Sequence, residues 1–483
     1  MQFVAIQHIL GLLIAVFSLS MLPPLMVSWL YADGTAQTFI MSFLITLGTG
    51  LLFWLPVRKV RRELRLRDGF VIVAAFWTVL SLYGALPFML AERPHLSFTD
   101  AVFESVSGFT TTGATIIASG LDTLPRSIIY HRAQLQWLGG MGIIVLAVAV
   151  LPMLGVGGMQ LFRAETPGPM KDDKLTPRIT ETAKSLWYVY LGITVACAIA
   201  YFMAGMSAFD ALTHSYTTVS LGGFSGHDAS FAYFDSPVLE CIAIFFMVLC
   251  GFNFALHFLA WRSLSLRPYQ DSELYTFLVV IGSVSLICAV YLYIIGTYGE
   301  PLTALRNATF QVVSVATTTG FLTEGFAHWP AFLPVLVLMV SFVGGCAGST
   351  GGGLKVIRFV LLVKQGLREI KLLVHPNAQI PVMVNKRVIP PRVSQAVWGF
   401  FSLYVGSFLI LMMVLLATGM DQVSAWSAVA TCMNNAGPAL GTVTMHFADV
   451  TPVAKWALSF AMLIGRLELF PLLVLLTPAF WRR

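Results

Sequence analysis

Charged residues are scarce in this 483-residue chain, where Asp, Glu, Lys and Arg together make up 11% of the sequence. An average soluble domain carries roughly 25%. Apolar residues account for 57% of the chain, and its mean hydropathy is +0.80. This composition excludes an ordinary soluble protein and leaves room for many membrane spans of about 20 residues each.

Patterns typical of metal or thiol chemistry are also missing. The six cysteines lie in apolar segments without a CxxC pair, and the nine histidines are scattered without an HExxH motif. Neither a zinc site nor a disulfide framework is therefore indicated. No paired-carboxylate constellation occurs either, so we expect no enzymatic activity. We likewise expect no covalently bound cofactor and no nucleic-acid partner.

The first thirty residues lack a basic n-region and a convincing cleavage site, although they hold a long apolar run. This pattern predicts a retained membrane span rather than a signal peptide. The whole chain is predicted to be an all-α integral membrane protein of about ten spans. Two spans lie within residues 1–56, and four units follow around one pore, each an apolar helix, a pore loop and a second apolar helix. The units are predicted at residues 69–155, 184–262, 274–364 and 393–480.

Four glycine-centred turns with the same internal spacing support this division. They read Thr111-Thr112-Gly113, Leu221-Gly222-Gly223, Thr318-Thr319-Gly320 and Asn435-Ala436-Gly437. Thirteen residues before the last glycine of each turn stand Asp100, Asp210, Asn307 and Ser424, each followed by alanine. These side-chain types cap helix N-termini, so each turn is predicted to follow a short helix capped at that position.

The short helices cannot cross a bilayer. Thirteen helical residues span only about 20 Å, less than the roughly 30 Å of the hydrocarbon core. Each must re-enter from one side, which requires its backbone to be buried in protein or to line a cavity. One such turn would be an ordinary glycine C-cap. Four in register predict a repeated pore loop.

The residue types in the turns suit a cation. Rings of backbone carbonyls can replace the hydration shell of an ion, and glycine adopts the unusual backbone angles that such a ring demands. The C-terminal end of each short helix adds a partial negative charge at the turn. No acidic residue lies in any of the four turns, which argues against selection by a carboxylate ring. We therefore predict that the twelve residues of the turns form a selectivity filter.

The second helix of every unit has a weak point at the same depth. Counting 28 residues on from the filter glycines reaches Met141, Gly251, Gly348 and Gly465. The third unit is the extreme case, since residues 344–353 hold the glycines Gly344, Gly345, Gly348, Gly351, Gly352 and Gly353 together with Ser349 and Thr350. Such a segment cannot be a stable helix. It predicts a mobile loop below the filter that blocks or clears the path.

Arg466 follows the weak point of the fourth unit. A charge at this depth costs several kcal/mol unless it meets water or a partner. One interpretation is an arginine that extends toward the cytoplasm. The other places Arg466 in the pore, where it would repel cations and act with the glycine-rich loop as a gate.

The distribution of charges predicts the orientation. Basic residues concentrate at 58–67 and 355–392, whereas residues 205–237 carry three aspartates and no Lys or Arg. By the positive-inside rule, both termini lie in the cytoplasm and the pore loops face outside. The outer mouth is then acidic, which raises the local concentration of cations.

Together these motifs resemble one known superfamily. The runs that carry the resemblance are residues 109–115 (FTTTGAT), 222–228 (GGFSGHD), 344–355 (GGCAGSTGGGLK) and 465–468 (GRLE). With the four-unit plan, they resemble the K⁺ transporters that include bacterial Trk and Ktr proteins and plant HKT transporters. The resemblance covers essentially the whole chain.

The resemblance implies K⁺ uptake across the inner membrane of a bacterium, with K⁺ bound at the filter residues. It also implies a homodimer in the lipid bilayer and a cytoplasmic ring of nucleotide-binding regulatory subunits. Residues 344–353 would be the intramembrane gate and Arg466 a pore-facing residue. In the plant branch, serine at the first filter glycine accompanies Na⁺ transport, so Gly113 favours K⁺. The fourth turn departs from the threonine-rich pattern of the family.

One alternative is a secondary transporter for another cation or a small solute, coupled to Na⁺ or H⁺ through broken helices. Inverted halves would put re-entrant segments on both sides, and the four units are parallel instead. Spacing alone leaves open whether conduction is passive or coupled to another ion.

Overall fold

The computed structural model describes residues 2–59, 66–153, 179–385 and 387–482. At the N-terminus, α1 (Phe3–Ser18) continues through a 3₁₀ turn into α2 (Leu22–Tyr31), and α3 (Ala36–Trp54) runs back against them. Glycine allows α1 and α3 to touch. A Cβ added at Gly50 would lie 2.5 Å from the backbone nitrogen of Ala15, so the two backbones are in direct contact.

Four times thereafter, a long helix is followed by a short helix and then by a broken one. The first set is α4 (Leu66–Gly84), α5 (Leu86–Leu90), α6 (Phe98–Phe109) and α7 (Arg126–Met153). The second is α8 (Ile179–Met203), α9 (Ala208–Val219), α10 (Pro237–Cys250) and α11 (Phe254–Ser263). The third is α12 (Ser272–Ile294), α13 (Pro301–Ala316), α14 (Leu333–Val343) and α15 (Val356–Val374). The fourth is α16 (Pro391–Ala417), α17 (Gln422–Asn434), α18 (Pro452–Arg466), α19 (Phe470–Leu476) and α20 (Pro478–Trp481).

The predicted weak points in the second helices are confirmed. Helix α7 has a non-helical residue at Gly142, with φ 50° and ψ −151°, and α10 and α11 meet at a bend of 91°. The helical path is interrupted between Val343 and Val356. It is interrupted again after Arg466, where two successive residues have positive φ.

These breaks affect the count of spans. Within the described ranges, six helices are long and apolar enough to cross a membrane, or seven if α10 and α11 form one bent span. Apolar helices as short as α14 do not meet that length on their own. The total of ten spans therefore remains a prediction.

A small β-hairpin adds to the helical architecture that we predicted. Strands β1 (Met383–Val384) and β2 (Arg387–Val388) pair antiparallel between α15 and α16. Val384 belongs to an apolar cluster with Ile357 and Leu361 of α15, so the hairpin is packed onto that helix.

The predicted helix caps are wrong. In three of the four short helices the cap lies three residues earlier, at Ser97, Ser207 and Asp421. The backbone N–H of Asp100 donates to Ser97 Oγ at 3.2 Å, and that of Asp210 donates to Ser207 Oγ at 3.1 Å. A cap has extended backbone and accepts from the third helical residue. The repeated spacing had therefore marked this third residue, as it does at Ser424, rather than the cap.

In the third unit the short helix is longer than predicted. Helix α13 begins at Pro301, so that Asn307 lies inside the helix instead of capping it. The side chain of Asn307 has a different partner, because its Nδ2 donates to Glu324 at 2.9 Å.

The contact between α1 and α3 yields a stability prediction. We expect Gly50→Ala to destabilise the protein by roughly 1–3 kcal/mol, because the new methyl group must push two backbones apart. Gly48 on the same helix is the matched control, since a Cβ there meets nothing within 4 Å. Thermal unfolding in detergent should show a lower melting temperature for Gly50→Ala only. Equal melting temperatures for the two variants would contradict this packing.

Candidate ion-conducting site

All four turns adopt the same backbone conformation. The first residue and the last glycine of each have positive φ: 55° and 81° at Thr111 and Gly113, 56° and 73° at Leu221 and Gly223, 63° and 88° at Thr318 and Gly320, and 54° and 86° at Asn435 and Gly437. A left-handed conformation is uncommon for residues other than glycine. Its recurrence at four equivalent places shows that the turns are copies of one structural motif.

The structure brings the four turns together in a closed ring. A Cβ added to Gly113 would collide with the carbonyl oxygen of Gly222, and one added to Gly223 with that of Thr319. At Gly320 it would lie 2.5 Å from the oxygen of Ala436, and at Gly437 it would lie 2.8 Å from the oxygen of Thr112. The last glycine of each turn thus abuts the middle residue of the next turn, and the fourth turn abuts the first. Only glycine fits at such a distance.

Each turn is fastened to the end of its own helix. The N–H groups of the middle residues donate back to helix carbonyls, in the pairs Thr112 to Ser107 (2.8 Å), Gly222 to Thr217 (2.9 Å), Thr319 to Ser314 (2.8 Å) and Ala436 to Thr431 (2.9 Å). The C-terminal ends of α6, α9, α13 and α17 therefore lie at the ring. Their partial negative charges favour a cation there.

Asn435 explains how the fourth turn departs from the threonine pattern. Its Nδ2 donates to Thr112 Oγ1 at 2.9 Å and to the carbonyl of Met462 at 3.0 Å. The side chain therefore joins the fourth turn to the first turn and to α18, and its role in the structure is to close the ring.

Sequence analysis missed a set of polar side chains that support the turns from behind. They stand nine residues before the last glycine of the turn in the first three units, at Glu104, His214 and Gln311. Each holds the segment that follows its own turn, through Thr115 (3.0 Å), Ser225 (3.1 Å) and Thr323 (3.1 Å) respectively. A polar residue inside a short apolar helix was the available signal. In the fourth unit, Ser427 makes the corresponding contact, with the N–H of Leu440 at 2.9 Å.

A buried ion pair joins the first two turns. Arg132 of α7 pairs with Glu104, and their side chains are 2% and 0% exposed. The guanidinium also donates to the carbonyl of Ser225 at 2.9 Å and lies 4.2 Å from the ring centre of Phe224. Nearby, Gln136 Nε2 donates to the carbonyl of Gly222 at 2.6 Å. Helix α7 of the first unit thus holds the second turn as well.

The glycine-rich segment is a loop, as predicted, and it lies against the helix ends below the ring. The N–H of Gly352 donates to Thr318 Oγ1 at 2.7 Å, and Thr350 Oγ1 donates to the carbonyl of Val219 at 3.0 Å. The N–H of Gly353 donates to the carbonyl of Asn434 at 3.0 Å. The loop therefore contacts the ends of the second and fourth short helices and the first residue of the third turn.

Arg466 connects this loop to the first unit. One Nη donates to the carbonyl of Thr350 at 2.9 Å, while the other donates to the carbonyl of Gly140 at 3.1 Å and to that of Gly139. The charge of Arg466 is thus compensated by backbone oxygens of the loop and of α7. Glu468 pairs instead with Arg358.

The segments that follow the first two turns are linked by acidic side chains. Asp228 accepts from the N–H of Gly120 at 2.8 Å and from that of Leu121 at 2.9 Å. His227 bonds to Asp122 at 2.6 Å and lies 3.4 Å from Asp210. Burial alone would lower the pKa of His227, but the hydrogen bonds and charges of Asp210 and Asp122 outweigh it, so the pKa is raised.

The fold defines a class of helical membrane proteins in which repeated short helices end at a common ring. Residues 35–483 match the family described as TrkH, cation transport protein. The chain is 56% identical over 479 residues to the Trk system potassium uptake protein TrkH of Halomonas elongata, covering 99% of each. It is 53% identical to the protein of that name from Escherichia coli K12, covering 100% of each.

A solved structure supports the same family as the sequence comparisons. The crystal structure of the potassium transporter TrkH from Vibrio parahaemolyticus superposes with a TM-score of 0.91 at 52% identity, and the match covers 100% of both chains. The chain therefore belongs to the TrkH family of cation transport proteins, and the resemblance to Trk proteins is confirmed.

The closed ring predicts a strict requirement for glycine at 223. Alanine there would direct its methyl group into the third turn, so we expect Gly223→Ala to abolish ⁸⁶Rb⁺ uptake into liposomes. Gly296→Ala is the matched control, because Gly296 also has positive φ, of 81°, but meets nothing within 4 Å. Both variants incur a similar backbone cost of roughly 1–2 kcal/mol, because alanine is strained at positive φ. Full uptake by Gly223→Ala would show that the turns are not in contact.

The buried ion pair predicts a double-variant effect. Arg132→Met leaves the carboxylate of Glu104 buried without its charged partner, which should cost about 3–5 kcal/mol of stability. Adding Glu104→Gln removes that charge and keeps an acceptor for the following segment. We therefore expect the double variant to melt at a higher temperature than Arg132→Met alone. A lower melting temperature for the double variant would argue against this pairing.

Proposed function

We propose that this protein takes up K⁺ across the cytoplasmic membrane of a bacterium, through a pathway whose narrowest part is the ring of four turns. The relatives described above carry the name potassium uptake protein. The single observation that carries the proposal is the closure of the ring, since each filter glycine abuts the next turn.

In this proposal the turns form the selectivity filter. An ion that sheds water must receive equivalent oxygens at once, and backbone carbonyls of the four turns supply them without a net negative charge. Oxygens that carry only partial charge release a monovalent ion more readily than carboxylates would. The helix ends behind the ring add a cation-attracting potential without adding a fixed ligand.

The glycine-rich loop and Arg466 form the gate. The contacts of the loop with Val219, Thr318 and Asn434 support a position across the path below three of the four turns. The guanidinium of Arg466 holds Thr350, the middle of the loop, and places a positive charge beside the path. K⁺ would pass once the loop moves aside and takes this contact with it.

The assembly and orientation follow the resemblance. The protein would be a homodimer in the lipid bilayer, with a cytoplasmic ring of nucleotide-binding regulatory subunits that opens the gate. The relatives' names refer to a Trk system, which fits a transporter that works with partners. Both termini would lie in the cytoplasm. The aspartates at the outer ends of the first two units would then line the entrance and attract cations.

Uptake of ⁸⁶Rb⁺ into liposomes tests the proposal. We expect uptake by the purified protein that excess K⁺ blocks and excess Na⁺ does not. If the closed gate makes uptake slow, a variant that lacks residues 351–352 should raise it, because the shortened loop can no longer reach all of its contacts. Its control is a deletion of the same length at residues 296–297, in the exposed turn between α12 and α13. Uptake that Na⁺ blocks as well as K⁺ would contradict a K⁺ filter, and a silent loop variant would contradict the gate.

A further inference from the structure

Glu273 lies in the first turn of α12, two residues after the cap of that helix. It is buried, with 8% exposure. Its carboxylate does not meet a lysine or arginine at salt-bridge distance in the described structure. Instead, one oxygen, Oε1, accepts from the N–H of Ala347 at 2.7 Å and from the N–H of Ile357 at 3.1 Å.

These two donors lie on opposite sides of the central part of the glycine-rich loop. Ala347 is in the first half of the loop, and Ile357 is the second residue of α15, the helix that begins shortly after the loop. A single oxygen therefore ties the first half of the loop to the start of the helix that follows it. Hydrogen bonds to a charged acceptor are the strong ones, and a buried carboxylate without its donors would be costly. Glu273 thus favours the conformation in which both bonds are made.

The cytoplasmic hairpin is attached to the two residues that precede Glu273. Asn385, in the turn of the hairpin, donates to Asp271 Oδ2 at 2.6 Å and accepts from the N–H of Ser272 at 2.8 Å. Asp271 in turn caps α12, since its Oδ1 accepts from the N–H of Glu273 at 2.7 Å. On its other side, the hairpin is tied to α15, because Lys364 Nζ donates to the carbonyl of Met383 at 2.7 Å.

We infer that Glu273 is a positioning residue that clasps the two ends of the loop, and that the Met383–Val388 hairpin is the cytoplasmic element that sets this clasp. A displacement of the hairpin would shift the start of α12 and the first turns of α15 together. The loop would then lose the oxygen that joins its ends. The role of the loop as a gate rests on the proposed function, whereas the clasp itself rests only on these contacts.

Cys346 offers a direct readout of the loop. It precedes Ala347, is 1% exposed, and its N–H donates to the carbonyl of Gly251 at 2.9 Å. Its reaction with N-ethylmaleimide in the full protein therefore reports how often the loop leaves its place. Cys288 is an internal control, since it is equally buried and lies on α12, the helix that carries Glu273.

We expect Glu273→Ala to raise the rate of Cys346 labelling, followed by mass spectrometry, by about tenfold or more, because two bonds to a charged acceptor are lost. Cys288 labelling should not change. Glu273→Gln keeps a carbonyl oxygen but loses the charge, so its labelling rate should lie between those of the wild type and Glu273→Ala. Glu273→Asp keeps the charge but is one methylene shorter, so it cannot reach both N–H groups and should label fast. Because Asp is compatible with the helix start, this variant keeps the test valid if Glu273→Ala fails to fold.

The role of the hairpin is tested with a separate variant and control. Asn385→Ala, at an exposed position, should also raise Cys346 labelling, whereas Glu369→Ala, exposed on α15, should not. Unchanged Cys346 labelling in Glu273→Asp would overturn the clasp, and unchanged labelling in Asn385→Ala would overturn the part assigned to the hairpin. Faster labelling together with faster ⁸⁶Rb⁺ uptake would support both the clasp and the gate. Faster labelling without faster uptake would support the clasp and overturn the loop as a gate.

Discussion

Much of this structure depends on the contact of four backbone turns around one ring. At each junction a glycine faces a carbonyl oxygen of the next turn, at a distance that no Cβ could share. In addition, the first residue of every turn adopts the left-handed region, including Thr111, Leu221 and Thr318. Conformations of this kind cost of order 1–3 kcal/mol each and persist only where the surroundings hold them. The surrounding helices must therefore supply that hold.

Polar groups keep the turns in this conformation, because irregular backbone at membrane depth has no water with which to form hydrogen bonds. The N–H of each middle residue bonds to its own helix, and a side chain from within that helix bonds to the segment after the turn. Where two turns meet, Arg132 and Gln136 of α7 add contacts that cross from the first unit to the second. The apolar lipid-facing surface and the polar ring region thus have separate tasks. The first keeps the protein in the bilayer, and the second keeps the turns in contact.

The parts of this architecture that could be predicted from sequence are those that repeat or that break a local rule. Glycine spacing revealed the turns and the weak points of the second helices, since no helix tolerates six glycines in ten residues. The same spacing misplaced the caps, because the third residue of a helix carries the same polar types as the cap itself. Asp100 and Ser97 show this, since each bonds to the other. Contacts between distant residues had no such signal. In the sequence, Arg132 is one basic residue near the start of a helix. Only the folded structure shows that it lies between two turns.

The four units are alike at the ring of turns and differ in the segments below it. The second helices of the four units break in four different ways, from a single kinked residue at Gly142 to the long interruption before Val356. The path that we propose through the ring would have room on its axis for a segment from one unit only. The third unit supplies that segment, the fourth supplies Arg466, and the first supplies the carbonyls of Gly139 and Gly140 that receive the same guanidinium. An assembly of four identical chains could not place a different segment below each of its turns in this way. In the proposed function, a single chain can keep the turns alike, where a K⁺ ion would need equal oxygens, and make the segments below them different, where one loop would move.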